Sequence, residues 1–134
     1  MKLMLLAGAT IMIGTVALAQ ETGEAYTPGE RVELTNTPLP GAEGQAIAIQ
    51  RVTFAGGWTG ERHTHGGPVF VYVLDGQITV EVDGQDPATL SAGDFTAEPM
   101  DTAMVARNES ASDPVTILLI QVSQEGVPLM TKVE

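Results

Sequence analysis

The chain has 134 residues, 43% of them hydrophobic and 17% charged, a length that suits one domain because two would each be too small to bury a stable core. Six basic residues against 17 acidic ones give a net charge of −11, which repels phosphate backbones and anionic membrane surfaces and argues against a nucleic-acid partner. There is no Cys, which excludes disulfides, thiol catalysis, Cys-ligated zinc and iron–sulfur clusters.

Lys2 is followed by an apolar run from Leu3 to Val16, and Ala17-Leu18-Ala19 supplies a small-x-small cleavage site. The run ends at Ala19, contains Gly8 and Gly14, and falls short of the roughly 20 apolar residues that span a bilayer. Residues 1–19 are therefore expected to be a cleaved signal peptide, with Gln20 starting the mature chain. No twin-Arg pair precedes the run, so the general export route is the simpler one. The expected destination is periplasmic or secreted, with no membrane attachment after cleavage. Losing Lys2 leaves five basic residues (Arg31, Arg51, Arg62, Arg107 and Lys132) against 17 acids, a charge of −12.

Residues 20–44 are rich in Pro, Gly, Thr and Glu and read as an extended arm with one short strand at Arg31 to Thr35. Residues 45–134 read as a single β domain. Ala46 to Phe54 alternates, Val69 to Leu74 is continuously apolar, and Gln77 to Val82 alternates again. Asp75-Gly76 between the last two predicts a primed turn and a hairpin. Thr89-Leu90 and Phe95-Thr96 flank a turn at Ser91 to Asp94, and Thr102 to Arg107 and Val115 to Ser123 supply the last strands. No segment after Ala19 has helical periodicity over three turns, so an all-β antiparallel sandwich or barrel is expected.

The only two histidines are His63 and His65. Side chains two apart on a strand share a face, so both imidazoles can project to one point. Zinc, iron, copper, manganese and nickel all accept imidazole nitrogen. An ordinary polar pair at a strand end is the alternative use of the same residues.

The surrounding spacing resembles the cupin family. Its first motif runs Gly, five residues, His-x-His, three or four residues, Glu, six residues, Gly; this chain reads Gly57, then His63-Thr64-His65, then Val69, then Gly76. The second motif runs Gly, five residues, Pro-x-Gly, two residues, His, three residues, Asn; here it reads Gly93, Pro99-Met100-Asp101, Met104, Asn108. The resemblance, to small single-domain cupins of the RmlC-like kind, implies a double-stranded β-helix, or jelly-roll barrel. It also implies a metal held by two histidines, a glutamate and a third histidine. Val69 stands at the glutamate position and Met104 at the last histidine position, so half of that ligand set is absent.

Two residues can complete it. Met104 offers a thioether suited to Cu(I), and its other use is to fill the barrel interior. Glu98 shares strand parity with Met104; turned inward, it would join His63 and His65 in the two-histidine, one-carboxylate set of non-haem iron sites, and turned outward it is a solvated acid. Glu61 shares the register of His63 nearer the barrel mouth. Val69, Val71 and Val73 are expected inside, with Phe70, Tyr72 and Leu74 outside and covered by the Ala46 strand, the arm or a second subunit. Trp58 is placed at the rim, closing the barrel end or stacking on a ligand.

These residues point to an exported barrel that binds a divalent transition metal (Fe, Mn, Zn, Ni or Cu), a small molecule, or both, through His63, His65, Glu98 and Met104, without catalysis. The alternative is a metal-dependent dioxygenase or isomerase using the two histidines and a carboxylate. The doubly apolar strand at Val69 to Leu74 makes a homodimer the expected assembly.

Overall fold

The computed structural model describes residues 29–134; the expected signal peptide, its cleavage site and the arm before Gly29 lie outside the described residues. In chain order the strands are β1 (Gly29–Pro38), β2 (Gln45–Phe54), β3 (His63–Thr64), β4 (Val69–Asp75), β5 (Gln77–Val82), β6 (Ala88–Ser91), β7 (Phe95–Glu98), β8 (Met104–Arg107), β9 (Val115–Gln124) and β10 (Thr131–Lys132). They form two five-stranded antiparallel sheets. Sheet I has the order β1-β2-β9-β4-β7, and sheet II the order β10-β3-β8-β5-β6. The jelly-roll expectation holds.

Alternation explains the layering. β9 buries Val115, Ile117, Leu119 and Gln121 and turns Thr116, Leu118 and Ile120 the other way. β4 does the same with Val69, Val71 and Val73. The apolar ones among them meet Ile78 and Val80 of β5 and Met104 and Ala106 of β8 in one core cluster between the sheets. Each buried aliphatic side chain is worth about 1.5–3 kcal/mol, which makes the inward register of every long strand hard to slip. The strand foreseen at Arg31 to Thr35 runs longer, through all of β1, and lies along β2 from Gly29 opposite Phe54 to Pro38 opposite Ala46.

Two expectations fail. β4 and β5 do not form a hairpin: β4 pairs with β9 and β7, whereas β5 pairs with β6 and β8. The β4–β9 register slips between Val73 and Asp75, Gly76 adopts φ 78°, and this kink carries the chain from one sheet to the other. Both runs have an apolar inner face, and they bury more by facing each other across the core than by lying edge to edge. The outer face of β4 is also not covered by the Ala46 strand or by the described part of the arm. β1 and β2 belong to the same sheet as β4, so they extend that face instead of shielding it. Two rows cross it in register, Thr35–Ile49–Ile120–Phe70–Ala97 and Val32–Arg51–Leu118–Tyr72–Phe95.

The Gly76 crossing gives a direct test. A Cβ there would lie 2.6 Å from the Pro114 carbonyl oxygen and 3.0 Å from Val115 Cα. Gly76→Ala is expected to cost about 2–4 kcal/mol, from the left-handed backbone and the clash together. Urea unfolding measures it, and an unchanged midpoint would contradict the crossing geometry.

Candidate functional site

His63 lies in the short strand β3, between β8, where it faces Met104, and β10, where it faces Lys132. His65 follows immediately, and the backbone N–H of Asp101 donates to its carbonyl at 3.1 Å. Asp101 stands where the motif has Gly and takes φ 54°, a conformation Asp tolerates better than most residues. Both imidazoles are buried, at 2% and 0% exposure. Their centroids are 5.0 Å apart and the rings nearly perpendicular, at 77°.

Each ring is oriented by a backbone carbonyl. His63 Nδ1 donates to the Glu61 carbonyl and His65 Nδ1 to the Leu129 carbonyl, both at 2.8 Å. A carbonyl only accepts, so Nδ1 carries the proton and Nε2 of the neutral ring carries the lone pair. This is how proteins set the tautomer of imidazoles that bind metals or accept protons.

Glu98 is turned inward. It ends β7 directly opposite Val69 of β4, and cross-strand partners share a face with Cβ atoms about 4.5–5.5 Å apart. The position where a cupin glutamate is expected is thus apolar, and a carboxylate reaches the same place from the neighbouring strand. Its side chain is 8% exposed, with Oε2 2.9 Å from His65 Nε2. Apart from each other, neither of these two atoms has a hydrogen-bond partner among the described residues.

The two histidines are driven apart electrostatically. Burial lowers the pKa of His63 below its ordinary 6.5, and the bond to the Glu61 carbonyl only partly offsets it. Burial also opposes the charge on His65, but the Glu98 carboxylate outweighs it and the net displacement is upward.

The other candidates sort clearly. Met104 is 1% exposed and sits in the core cluster across the ladder from His63. The Glu61 carboxylate pairs with Lys132 Nζ at 2.5 Å on the surface, so only its carbonyl serves the site. Trp58 is buried in the core cluster and stacked on Phe54 with centroids 3.8 Å apart. Asn108 is structural, its amide donating to the Ala55 and Asp113 carbonyls at 3.0 and 2.8 Å. One contributor was missed. The Leu129 carbonyl gave no sequence signal, being 64 positions from His65. Gln121, opposite Val69 on β9 and 4% exposed, is the polar residue in the inward series Val115, Ile117, Leu119, and its amide donates to Ser123 Oγ and the Pro128 carbonyl.

A cavity of about 90 Å³ opens against Glu98, lined by Val80, Val82, Leu90, Thr96, Ala97 and Pro99 among others. Neither this cavity nor a larger cleft of about 490 Å³ near Gln77, Thr89 and Asp113 is lined by a histidine. Among the described residues, no three His, Cys, Asp or Glu side chains form a ready-made ion cage. A metal here would therefore rest on the His65–Glu98 pair with His63 beside it, and would take its remaining donors from solvent or a bound molecule. The orphaned Nε2 and Oε2 fit that role.

A family model described as a cupin domain matches residues 50–121. The chain belongs to the cupin family. Solved structures agree on the fold. An RmlC-like cupin from Methanocaldococcus jannaschii is similar at 17% identity and a TM-score of 0.60, over 83% of this chain and 94% of that one. KdgF from Halomonas sp. is similar at 24% identity and a TM-score of 0.59, over 76% and 86%. The DMSP lyase DddQ from Ruegeria pomeroyi is similar at 18% identity and a TM-score of 0.64, over 78% of this chain and 51% of that one. No curated protein matches the chain.

The opposite displacements of the two rings have opposite consequences for this cupin. The raised pKa of His65 contributes stability that is complete below pH 6.5 and is lost as pH rises through the folded-state value. His63, lowered, contributes the reverse: stability present above pH 6.5 is lost as pH falls through its folded-state value. In metal-free protein, an NMR titration of the ring protons should put the His65 midpoint above 6.5 and that of His63 below. Glu98→Gln should bring His65 below 6.5, because burial then lacks its main opponent. An unmoved His65 midpoint would show that the two groups do not interact.

Proposed function

We propose that this cupin binds one divalent transition metal ion inside its barrel, held on the His65–Glu98 pair with His63 drawn in beside it and a small molecule or water completing the set. The observation that carries the reading is the buried approach of His65 Nε2 to Glu98 Oε2 at 2.9 Å, with no other hydrogen-bond partner for either atom among the described residues. With Nδ1 holding the proton, both facing atoms carry lone pairs, and they repel unless a proton or a cation lies between them. Two donors on one ion with bonds of about 2.1 Å stand about 3 Å apart when adjacent in an octahedral set. Imidazole with carboxylate suits Fe, Mn, Zn or Ni better than Cu(I), because the buried thioethers, Met104 and Met130, pack in the core cluster. When bound, the ion would polarise an oxygen of the captured molecule.

The role is binding rather than turnover. Beyond Glu98, the cavity presents Thr96, Gln85 and a single further acid, Asp86, and neither histidine lines it, so no acid–base pair joins the imidazoles around a captured molecule. One observation favours an enzyme instead: the cavity abuts Glu98, so a molecule held there would meet a carboxylate able to take its proton. Chelator-sensitive turnover would decide for that second reading. Export is part of the proposal. Protein recovered from the periplasm of a Gram-negative host should begin at Gln20 on N-terminal sequencing, and an intact Met1 in the cytosol would reject it.

Chelator-stripped protein titrated calorimetrically with Zn²⁺, Mn²⁺, Ni²⁺ or anaerobic Fe²⁺ should take up about one ion per chain. Glu98→Gln should weaken binding by about 10–100-fold, and the double change His63→Ala with His65→Ala should abolish it. A metal present at 100 times its Kd should stabilise the fold by about 2.7 kcal/mol. Undiminished uptake by the double variant would overturn the assignment.

A further inference from the structure

We infer that the inner face of sheet I, where β1, β2 and β9 run together, holds a separate binding cleft for a small organic cation headed by a primary ammonium. The cleft has a volume of about 240 Å³ and is bordered by Glu33 of β1, Ala48 and Gln50 of β2, Gln121 and Ser123 of β9, and Leu129. Neither histidine lines it, nor does Glu98. Along β2 the inward series runs Phe54, Val52, Gln50, Ala48, and so passes from the core into the cleft. The ladders explain the grouping. Glu33 stands directly opposite Gln50, and Ala48 directly opposite Gln121, so the four side chains share one face of the sheet. Gln121 is the diagonal neighbour of Gln50, about 7–8 Å away, and the small methyl of Ala48 leaves the space beside them open.

The hydrogen-bonding capacity of the lining selects the ligand. Gln50 Oε1 is buried and has no partner among the described residues, and a buried acceptor left without a donor is destabilising. Gln121, 4% exposed, commits its Nε2 to Ser123 Oγ and the Pro128 carbonyl at 3.1 and 3.3 Å. Only its Oε1 is left for a newcomer. Ser123 Oγ in turn donates to the Gln124 carbonyl at 3.4 Å. Glu33 adds a carboxylate, which when ionised only accepts. The centre of the cleft is therefore rich in acceptors and poor in donors, and no Lys, Arg or His lines it. An ammonium brings three N–H donors and no acceptor. Its charge is matched by Glu33 and by a chain of net charge −11. An anion meets repulsion here, and an alcohol brings one donor to several acceptors. Val127 and Leu129 supply apolar contact for a short hydrocarbon stem.

Heteronuclear NMR of the full chain titrated with n-butylammonium tests this, with n-butanol and butyrate as probes of equal length. Butylammonium should shift the backbone amides of Glu33, Gln50 and Gln121 and saturate with a Kd of about 0.1–10 mM. Butanol and butyrate should bind at least about tenfold more weakly, because each lacks the charged donor head. Glu33→Gln and Gln50→Leu should each raise the Kd about tenfold or more. Raising salt from about 20 to 200 mM should weaken binding, since screening reduces the attraction. If Gln50→Leu fails to fold, the exposed Glu33→Gln and the three-probe comparison decide. The titration is run on protein as purified and again after chelator treatment. Equal binding in both assigns the amine to this cleft, independently of any metal at His65 and Glu98. Binding lost on chelation overturns the inference, as do shifts that never saturate. So does butanol binding as tightly as butylammonium, or a Kd indifferent to Glu33→Gln.

Discussion

His65 and Glu98 face each other inside the barrel at 2.9 Å, both almost fully withdrawn from solvent, and the site exists only because that pair is kept dry. Removing one partner of such a pair typically costs about 3–5 kcal/mol, since the other charge is left buried alone. The surrounding apolar walls raise the stakes further, because a low-dielectric interior strengthens both the attraction and the penalty for an unmet polar group. The same burial pushes the neighbouring His63 towards its neutral form while Glu98 holds His65 towards its charged one. Two imidazoles 5.0 Å apart, of identical chemistry, thus differ in proton affinity.

Strand β4 connects the inside of the molecule to the outside. Its odd-numbered valines wall the site, and Val69 brings Glu98 alongside through the β4–β7 ladder. Its even-numbered side chains form the middle of the exposed apolar face. β7 has the same double duty on four residues, with Phe95 at one end and Glu98 at the other. The stacking of Phe95 on Phe70 therefore steadies the strand that presents the carboxylate.

The all-β class was legible in the alternation of β2, β5 and β9, because a period of two admits only one buried face. The two histidines were legible as a pair for the same reason, and the cupin spacing around them was specific enough to name the family. The path between strands was less accessible. Asp75-Gly76 carries an ordinary hairpin cue, yet a turn residue reports only a local bend and not which sheet the next strand joins. β10, two residues long, has no pattern to read. For Glu98, parity with Met104 suggested an inward side chain, but parity alone did not say that anything waited there. The register of β7 on β4 supplied that, by a long-range pairing that leaves no mark on the local sequence.

What the sequence determined by itself was a β sandwich with a close pair of histidines, the first in β3 and the second just after it, since composition and a two-residue period are local properties. What only the tertiary structure decided was which acid meets them, which ring nitrogen is left facing it, and that Val69 rather than a glutamate lines that wall. Those outcomes depend on strands and carbonyls far apart in the chain being brought within a few ångströms. The pull that brings them together is the burial of apolar side chains, which is blind to the chemistry of the polar groups it carries along.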